Sequence, residues 1–259
     1  MSISKKGPWL GGPDELRMRR FFVDPKTCNQ EEVILSEEES RHIFKVLRLP
    51  VASEIELLDG RGRVYRAVLA AVGKRAVARI VATVAAEPDR AKELVVYQAM
   101  LKGEKMDMVI QKCTELGVTR VVPVHTARCQ GGGDAGRNAK RLERWRRIGV
   151  AACKQCLRPT LMEIEVVQDI NDLAGHCQAE RRLLFWEEEN DCRLQQLAGW
   201  LEAQSVALLF GPEGGLTRDE VALARQSGWQ TLSLGERILR AETATLGAVA
   251  VVQYLLGNL

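Results

Sequence analysis

Two rhythms of apolar and polar residues run along the chain. Between residues 19 and 84 the apolar positions fall in short runs: 19–23, 54–58, 64–70 and 76–84 read as strands, with Asp59-Gly60 as a turn signal. Ser36 and Glu39 form a capping box for one short helix reaching Val46. Several short β runs with a single helix predict a small barrel. From Leu94 the pattern changes to strand followed by helix. Residues 94–100, 118–124, 163–167 and 182–186 read as strands. Residues 105–116, closed by Gly117, and 137–156, 169–177 and 194–201 read as helices. A buried strand at 206–210, a helix opened by a Thr217/Glu220 capping box, a strand at 231–234 and a final apolar helix capped by Thr243 complete the series. Repeated β–α alternation predicts a mostly parallel sheet with helices on both faces.

Two of these strands end in glycine loops. The run 206–210 stops at Gly211-Pro212-Glu213-Gly214-Gly215, and the strand after it stops at Gly235, followed by a loop to Glu242. Open α/β sheets bind ligands outside the carboxyl ends of their strands. Glycine lets backbone approach a ligand and adopts positive φ, which Gly214 is expected to need. The two loops lie about thirty residues apart, a βα-unit spacing, so a small-molecule site is expected between them. Neither a G-x-G-x-x-G nor a G-x-x-x-x-G-K pattern is present. A dinucleotide oxidoreductase therefore lacks its glycine signature.

Local sequence then becomes specific. G-P-E-G-G-L-T at Gly211 and L-S-L-G-E-R-I-L-R-A-E-T-A at Leu232 stand in order with R-R-F-F-V at Arg19 and H-I-F-K-V-L-R-L at His42. K-G-E-K-M-D-M-V-I-Q-K-C-T-E-L-G-V at Lys102 and A-A-C-K-Q-C at Ala151 join them. Over residues 18–256 the chain resembles the SPOUT methyltransferases of the RsmE type, which make N3-methyluridine in 16S ribosomal RNA. The resemblance implies a SPOUT-type α/β knot: a parallel sheet, helices on both faces and a C-terminal trefoil knot. It also implies an N-terminal PUA-like β-barrel. Periodicity does not predict a knot, which follows from the resemblance alone. The domains expected are a disordered extension at 1–17, the RNA-binding barrel at 18–86, a linker at 87–90 and the methyltransferase domain at 91–259. Met18, where the family pattern begins, is a candidate natural start.

The resemblance further implies S-adenosyl-L-methionine as cofactor, no metal, 16S rRNA in the small subunit as partner, and a homodimer. The expected cofactor residues are Leu209, Phe210, Gly211, Pro212, Glu213, Gly214 and Gly215 in the first loop. From the second loop they are Leu232, Leu234, Gly235, Ile238, Leu239, Thr243 and Ala244. Leu209, Leu234 and Leu239 would wall the adenine, and Phe185 and Trp186 begin a third family loop. Arg240 would hold the target phosphate or stabilise negative charge on the uracil carbonyls. Glu242 reads equally as a base or positioner and as a first-turn acid on the helix dipole. Arg19, Arg20, His42, Arg48, Arg128, Arg137, Lys140, Arg141 and Arg144 are the expected RNA contacts. The family carries a Glu-Arg pair at 127–128; here Ala127 replaces the acid and Arg128 is kept.

Charge sharpens the RNA reading. The net charge of the 259 residues is only +3, but Arg137, Lys140, Arg141, Arg144, Arg146 and Arg147 crowd one segment in which Glu143 is the only acid. Such a stripe suits a phosphate backbone or a solvated helix face. Gln130 to Asp134 reads as a flexible loop before it, and Trp145 as the core anchor of the helix. Seven cysteines fit no disulfide framework and read as reduced thiols. Cys153-Lys154-Gln155-Cys156 lacks the further ligands zinc needs and reads as structural. His42, His125 and His176 support no nucleophile triad. No apolar run reaches the ~18 residues of a membrane span and no leader is evident, which points to the cytoplasm. The rival functions are a non-catalytic RNA-binding module on the barrel and basic helix, and a SPOUT methyltransferase with another RNA target.

Overall fold

The computed structural model describes residues 18–28, 30–84, 92–129, 135–197 and 202–259. The chain divides into two compact units, residues 1–89 and 90–259. The expected extension at 1–17, the linker at 87–90 and the loop at 130–134 lie outside the described residues.

In the first unit, β1 (Arg19–Phe22) is followed by a 3-10 turn, then β2 (Glu32–Ile34) and α1 (Glu37–Arg41), which runs on into a π-helical turn, His42–Leu47. Then come β3 (Glu54–Leu58), β4 (Val64–Val72) and β5 (Ala76–Val84). They form one mixed five-stranded sheet in the order β1-β3-β4-β5-β2, with only β1 and β3 parallel. Register shifts within β4–β5 bend it. Phe21, Val33, Leu35, Ile43, Ile55, Leu57 and Leu69 fill its core. The sequence pattern misses β2, whose three residues bury one side chain. Ser36 caps α1 as expected, accepting from the Glu39 amide at 3.2 Å. The return half of that capping box is absent: Glu39 Oε1 accepts instead from the Phe22 amide at 3.3 Å, tying α1 to β1.

The second unit alternates as expected. Its elements are β6 (Glu93–Ala99), α2 (Lys105–Glu115), β7 (Arg120–His125), α3 (Ala135–Cys156), β8 (Glu163–Ile164), β9 (Gln168–Asp169) and α4 (Leu173–His176). They continue with β10 (Arg181–Phe185), β11 (Ser205–Phe210), α5 (Arg218–Gln226), β12 (Gln230–Leu232) and α6 (Ala241–Leu256). The parallel sheet runs β12-β10-β11-β6-β7-β8, with β9 also beside β7. Strand alternation sorts the side chains. Leu208 and Phe210 join α2, α3 and α6 on one face, while Ala207 and Leu209 join α4 and α5 on the other.

Three local expectations change. Of the strand at 163–167 only β8 forms, with β9 following it at 168–169, and the helix at 169–177 is a 3-10 turn and a single α turn. Of the helix at 194–201 only a 3-10 turn, Leu194–Gln196, lies within the described residues. Thr243 does not cap α6. The Ala244 amide already donates to Arg240 O at 2.8 Å, so the helix begins at Ala241 and Thr243 is an exposed residue of its first turn. After β12, at the sheet's edge, the chain returns past the strand ends to pack α6 on β11 and α2.

Candidate active site

The carboxyl ends of β10, β11 and β12 lie side by side, and the N-terminus of α6 comes up against them. Between the segments that leave these strands opens a cleft of about 620 Å³, at the place where open α/β sheets bind ligands. Phe185 and Phe210, register partners at the ends of β10 and β11, stack at 5.0 Å with planes 3° apart and line it.

The first loop is tightly folded. The Gly215 amide donates to Pro212 O at 2.9 Å. A Cβ on Gly211 would lie 3.1 Å from Leu216 Cγ and 3.2 Å from the Leu216 nitrogen, so backbone closes on backbone there. The left-handed residue is Gly215, at φ +70°, and not Gly214 as expected. Gly214 instead packs on the Arg128 side chain, its Cβ position 3.4 Å from Arg128 Cβ. The Thr217/Glu220 capping box is formed in both directions and starts α5. The second Glu220 oxygen accepts from the Ala127 amide at 2.6 Å.

Two polar groupings fix the cleft. Gln98 and Thr245 are fully buried, and the Thr245 hydroxyl donates to Gln98 Oε1 at 2.6 Å. The Gln98 amide group donates to Ala99 O at 3.1 Å and Gly211 O at 3.4 Å. One side chain thus joins α6, β6 and the glycine loop. The second grouping is Lys105, at the start of α2, with Nζ 3.3 Å from Glu213 and 3.4 Å from Glu242. Glu213 also accepts from the Lys102 amide at 3.1 Å. Burial works to raise the Glu213 carboxyl, but its own amide, that of Lys102 and the Lys105 ammonium outweigh it and hold it below the ordinary carboxylate range. The hydrogen bond to Glu213, against some desolvation and helped by Glu242, holds Lys105 above the ordinary lysine range. Lys105 is charged at neutral pH and cannot serve as a base.

Most of the residues expected around a ligand line this cleft: Phe210 to Gly215, Leu234, Gly235, Ile238, Leu239, Arg240 and Ala244. Three expected cofactor residues do not. Leu209 is fully buried on the opposite face of the sheet because neighbouring strand residues point opposite ways. Leu232 is buried in the α2–α3–α6 core, and Thr243 points to solvent. Glu242 is buried behind the wall on Lys105 and is not among the lining residues. Sequence reasoning missed Lys105, Glu187, Asn190, Ser233 and Ala241 in the lining. For Lys105 the signal was present in the K-G-E-K-M motif.

The expected RNA residues fall into two sets. In the first unit Arg19 is exposed, Arg20 is tied to Glu56 on the neighbouring strand at 2.7 Å, and His42 stands edge-on to Phe21. Arg48, in the left-handed conformation, closes the π-helical turn. In the second unit α3 buries Leu142, Trp145, Gly149, Ala152 and Cys153 along one stripe and turns Arg137, Lys140, Arg146 and Arg147 to solvent. Arg141 is half-buried, and Arg144 pairs with Asp107 of α2. Arg128 lies on the glycine loop, donating to Gly214 O at 2.8 Å. Cys153 is buried, its Sγ directed at Thr160 O, and burial pushes its thiol up to about 11. No metal-binding cluster occurs among the described residues.

Comparison with known proteins bears on the same surfaces. Residues 88–253 match the RNA methyltransferase domain family and residues 35–81 the RNA methyltransferase PUA domain family. A ribosomal RNA small subunit methyltransferase E of Bacillus subtilis is 30% identical, over 92% of this chain and 96% of its own. The Mycobacterium tuberculosis protein of that name is 30% identical over 90% and 91%. A ribosomal RNA small subunit methyltransferase E structure from Neisseria gonorrhoeae, bound to S-adenosyl methionine, is 32% identical, covers 92% of this chain and 98% of its own, and has a TM-score of 0.83. A Legionella pneumophila methyltransferase in complex with bound SAM is 30% identical with the same coverage and a TM-score of 0.86.

Proposed function

The chain belongs to the RNA methyltransferase family, in its ribosomal small subunit methyltransferase E branch, and on that premise we propose that it methylates uridine N3 in 16S ribosomal RNA with S-adenosylmethionine as donor. The observation that carries this reading is the cleft at the ends of β10, β11 and β12.

The lining suits such a donor. A volume of about 620 Å³ falls in the range of cofactor pockets, and the wall sets apolar Phe185, Phe210, Leu234, Ile238 and Leu239 beside charged Lys105, Glu213 and Arg240. Neither Gly211 nor Gly215 has room for a Cβ, which would meet Leu216 and Glu187 respectively, so the tight loop on the cleft wall needs glycine at both positions. When bound, the donor supplies an electrophilic methyl group on a sulfonium cation. The Lys105, Glu213 and Glu242 grouping carries one positive and two negative charges, a net negative pole beside the cleft that favours a cation.

Uracil N3 bears a weakly acidic proton, and its lone pair attacks in the ring plane only after that proton leaves. A cation near the carbonyl oxygens lowers the cost of the anion. Arg240 is suited to this: it lines the cleft, is exposed, and has no ion-pair partner among the described residues. Glu242 is better placed to anchor Lys105 than to take the proton, because its carboxylate lies behind the wall, so the N3 proton passes to water.

RNA would be held by the exposed cations of α3 and by the PUA-related unit. A homodimer is part of the proposal. Although α6 is apolar on most sides, Val251 and Tyr254 are exposed in the single chain, as is Met108 on neighbouring α2. Such a face is expected at an interface, and sedimentation at micromolar concentration checks it. No helix among the described residues is long and apolar enough to cross a membrane, in keeping with work on ribosomal RNA in the cytoplasm.

The test is transfer of labelled methyl from S-adenosylmethionine to small subunits lacking the modification, followed by mass mapping of the rRNA. N3-methyluridine is the expected product. Cofactor binding without label in 16S rRNA would favour another RNA target, and no cofactor binding would favour the non-catalytic module.

A further inference from the structure

The four residues after β7 form a turn, closed by the Cys129 amide on Thr126 O at 3.0 Å. The turn is tied to the start of α5 by the Ala127 amide on Glu220. From this fixed base the Arg128 side chain runs across the glycine loop. Its stem lies flat on Gly214, whose Cβ position is 3.4 Å from Arg128 Cβ and 3.6 Å from Cδ. Its Nη1 donates to Gly214 O at 2.8 Å and more weakly to Leu216 O at 3.4 Å. Among the described residues it makes no ion pair.

Each of the glycines at 211, 214 and 215 loses more conformational freedom on ordering than another residue would. A ligand that must order such a loop binds more weakly than one that meets it preformed. The guanidinium, a rigid planar donor, can hold two carbonyls at once, which an ammonium on a flexible stem does poorly. We infer that Arg128 is a positioning residue for the glycine loop. It fixes the peptide units of Gly214 and Leu216, and cofactor affinity depends on it. This rests on the reading of the cleft as the S-adenosylmethionine site, and it gives Arg128 a different task from a phosphate contact.

The experiment is calorimetry with S-adenosylmethionine on wild type, Arg128→Ala and Arg128→Lys, alongside the salt dependence of binding to extracted small-subunit rRNA. Arg128→Ala should bind the cofactor about tenfold more weakly, the loss of a charged hydrogen bond at an exposed position. Arg128→Lys should recover part of that loss. Amide exchange should quicken at 211–217 in Arg128→Ala with the rest of the unit unchanged, which separates a loosened loop from a failed fold. The rRNA salt slope should stay at the wild-type value. Wild-type cofactor affinity in Arg128→Ala overturns the inference, as does a slope shallower by roughly 0.7–0.9, the mark of a lost phosphate contact. A wild-type protein that binds no cofactor would overturn the underlying reading of the cleft instead.

Discussion

Two adjacent glycines in the first loop should respond differently to the same substitution. Gly215 has φ +70°, and an added Cβ would lie 2.0 Å from Glu187 Oε1. Gly214 is not in the left-handed region, and its Cβ would meet Arg128 Cβ at 3.4 Å, an ordinary contact. Either Gly→Ala change stiffens the unfolded chain and stabilises by roughly 0.4–1 kcal/mol where the native conformation tolerates it. Gly214→Ala should show that gain or no change. Gly215→Ala must also hold an alanine in the left-handed region, at about 1–2 kcal/mol. The Glu187 carboxylate is exposed and can swing away at little cost in stability, but it leaves its place on the cleft wall. The unfolded-state gain is common to both, so Gly215→Ala should be about 1–2 kcal/mol less stable than Gly214→Ala, and it should weaken S-adenosylmethionine about tenfold as the loop shifts to relieve strain. Urea unfolding and calorimetry on the two variants measure both. Adding Glu187→Ala to Gly215→Ala removes the collision and leaves the backbone strain, so stability should not recover. Equal stability and equal affinity in the two alanine variants would refute the assignment of strain to Gly215.

Arg240→Ala should lower the single-turnover methylation rate by ~100-fold or more, the size of a lost electrostatic stabiliser, with little change in cofactor affinity; rapid-quench kinetics checks it. Thr245→Val leaves buried Gln98 Oε1 without its donor and should cost about 1–3 kcal/mol in urea unfolding. Replacing Arg137 and Lys140, exposed on α3, should make the rRNA salt slope shallower by roughly 0.7–0.9 per lost phosphate contact. Arg144→Ala, whose partner is Asp107, should change the slope less. Glu213 is held below the ordinary carboxylate range, so its stabilisation is present above the unfolded value and disappears as pH falls through the folded one. Glu213→Gln should therefore lose less stability than wild type when urea unfolding is repeated from neutral into acid pH.

The alternation of the second unit was legible because each strand is an apolar run and each helix carries its own end signals. The Thr217/Glu220 box is one such signal, and it is formed in both directions. Elements that bury little left no comparable mark. Strand β2 buries only Val33, so it shows no two-residue period long enough to read, and the strand read at 163–167 is only β8, which buries Ile164 alone. The Ser36/Glu39 pair matches the local pattern of a box, yet a tertiary partner, the Phe22 amide, takes the Glu39 oxygen. A short-range pattern cannot reveal that competition.

At the site, the loops were legible and the directions of side chains were not. Glycine marks where backbone must turn, so residues 211–215 stood out. Which glycine is left-handed depends on the closure of the turn from Gly215 to Pro212, which no composition encodes. Leu209 and Phe210 look alike in an apolar run, but one residue of register sends Phe210 to the cleft and Leu209 to the far core. Lys105 and Gln98 escaped, and Arg128 was read as an RNA contact, for a different reason. Each acts on a loop about a hundred residues away in the chain, through Glu213, Gly211 and Gly214 respectively. Among residues 211–215 only Glu213 has a polar side chain to anchor the loop, so much of its geometry has to be imposed from elsewhere in the fold. That is why the residues that shape it are found on α2, β6 and the turn after β7.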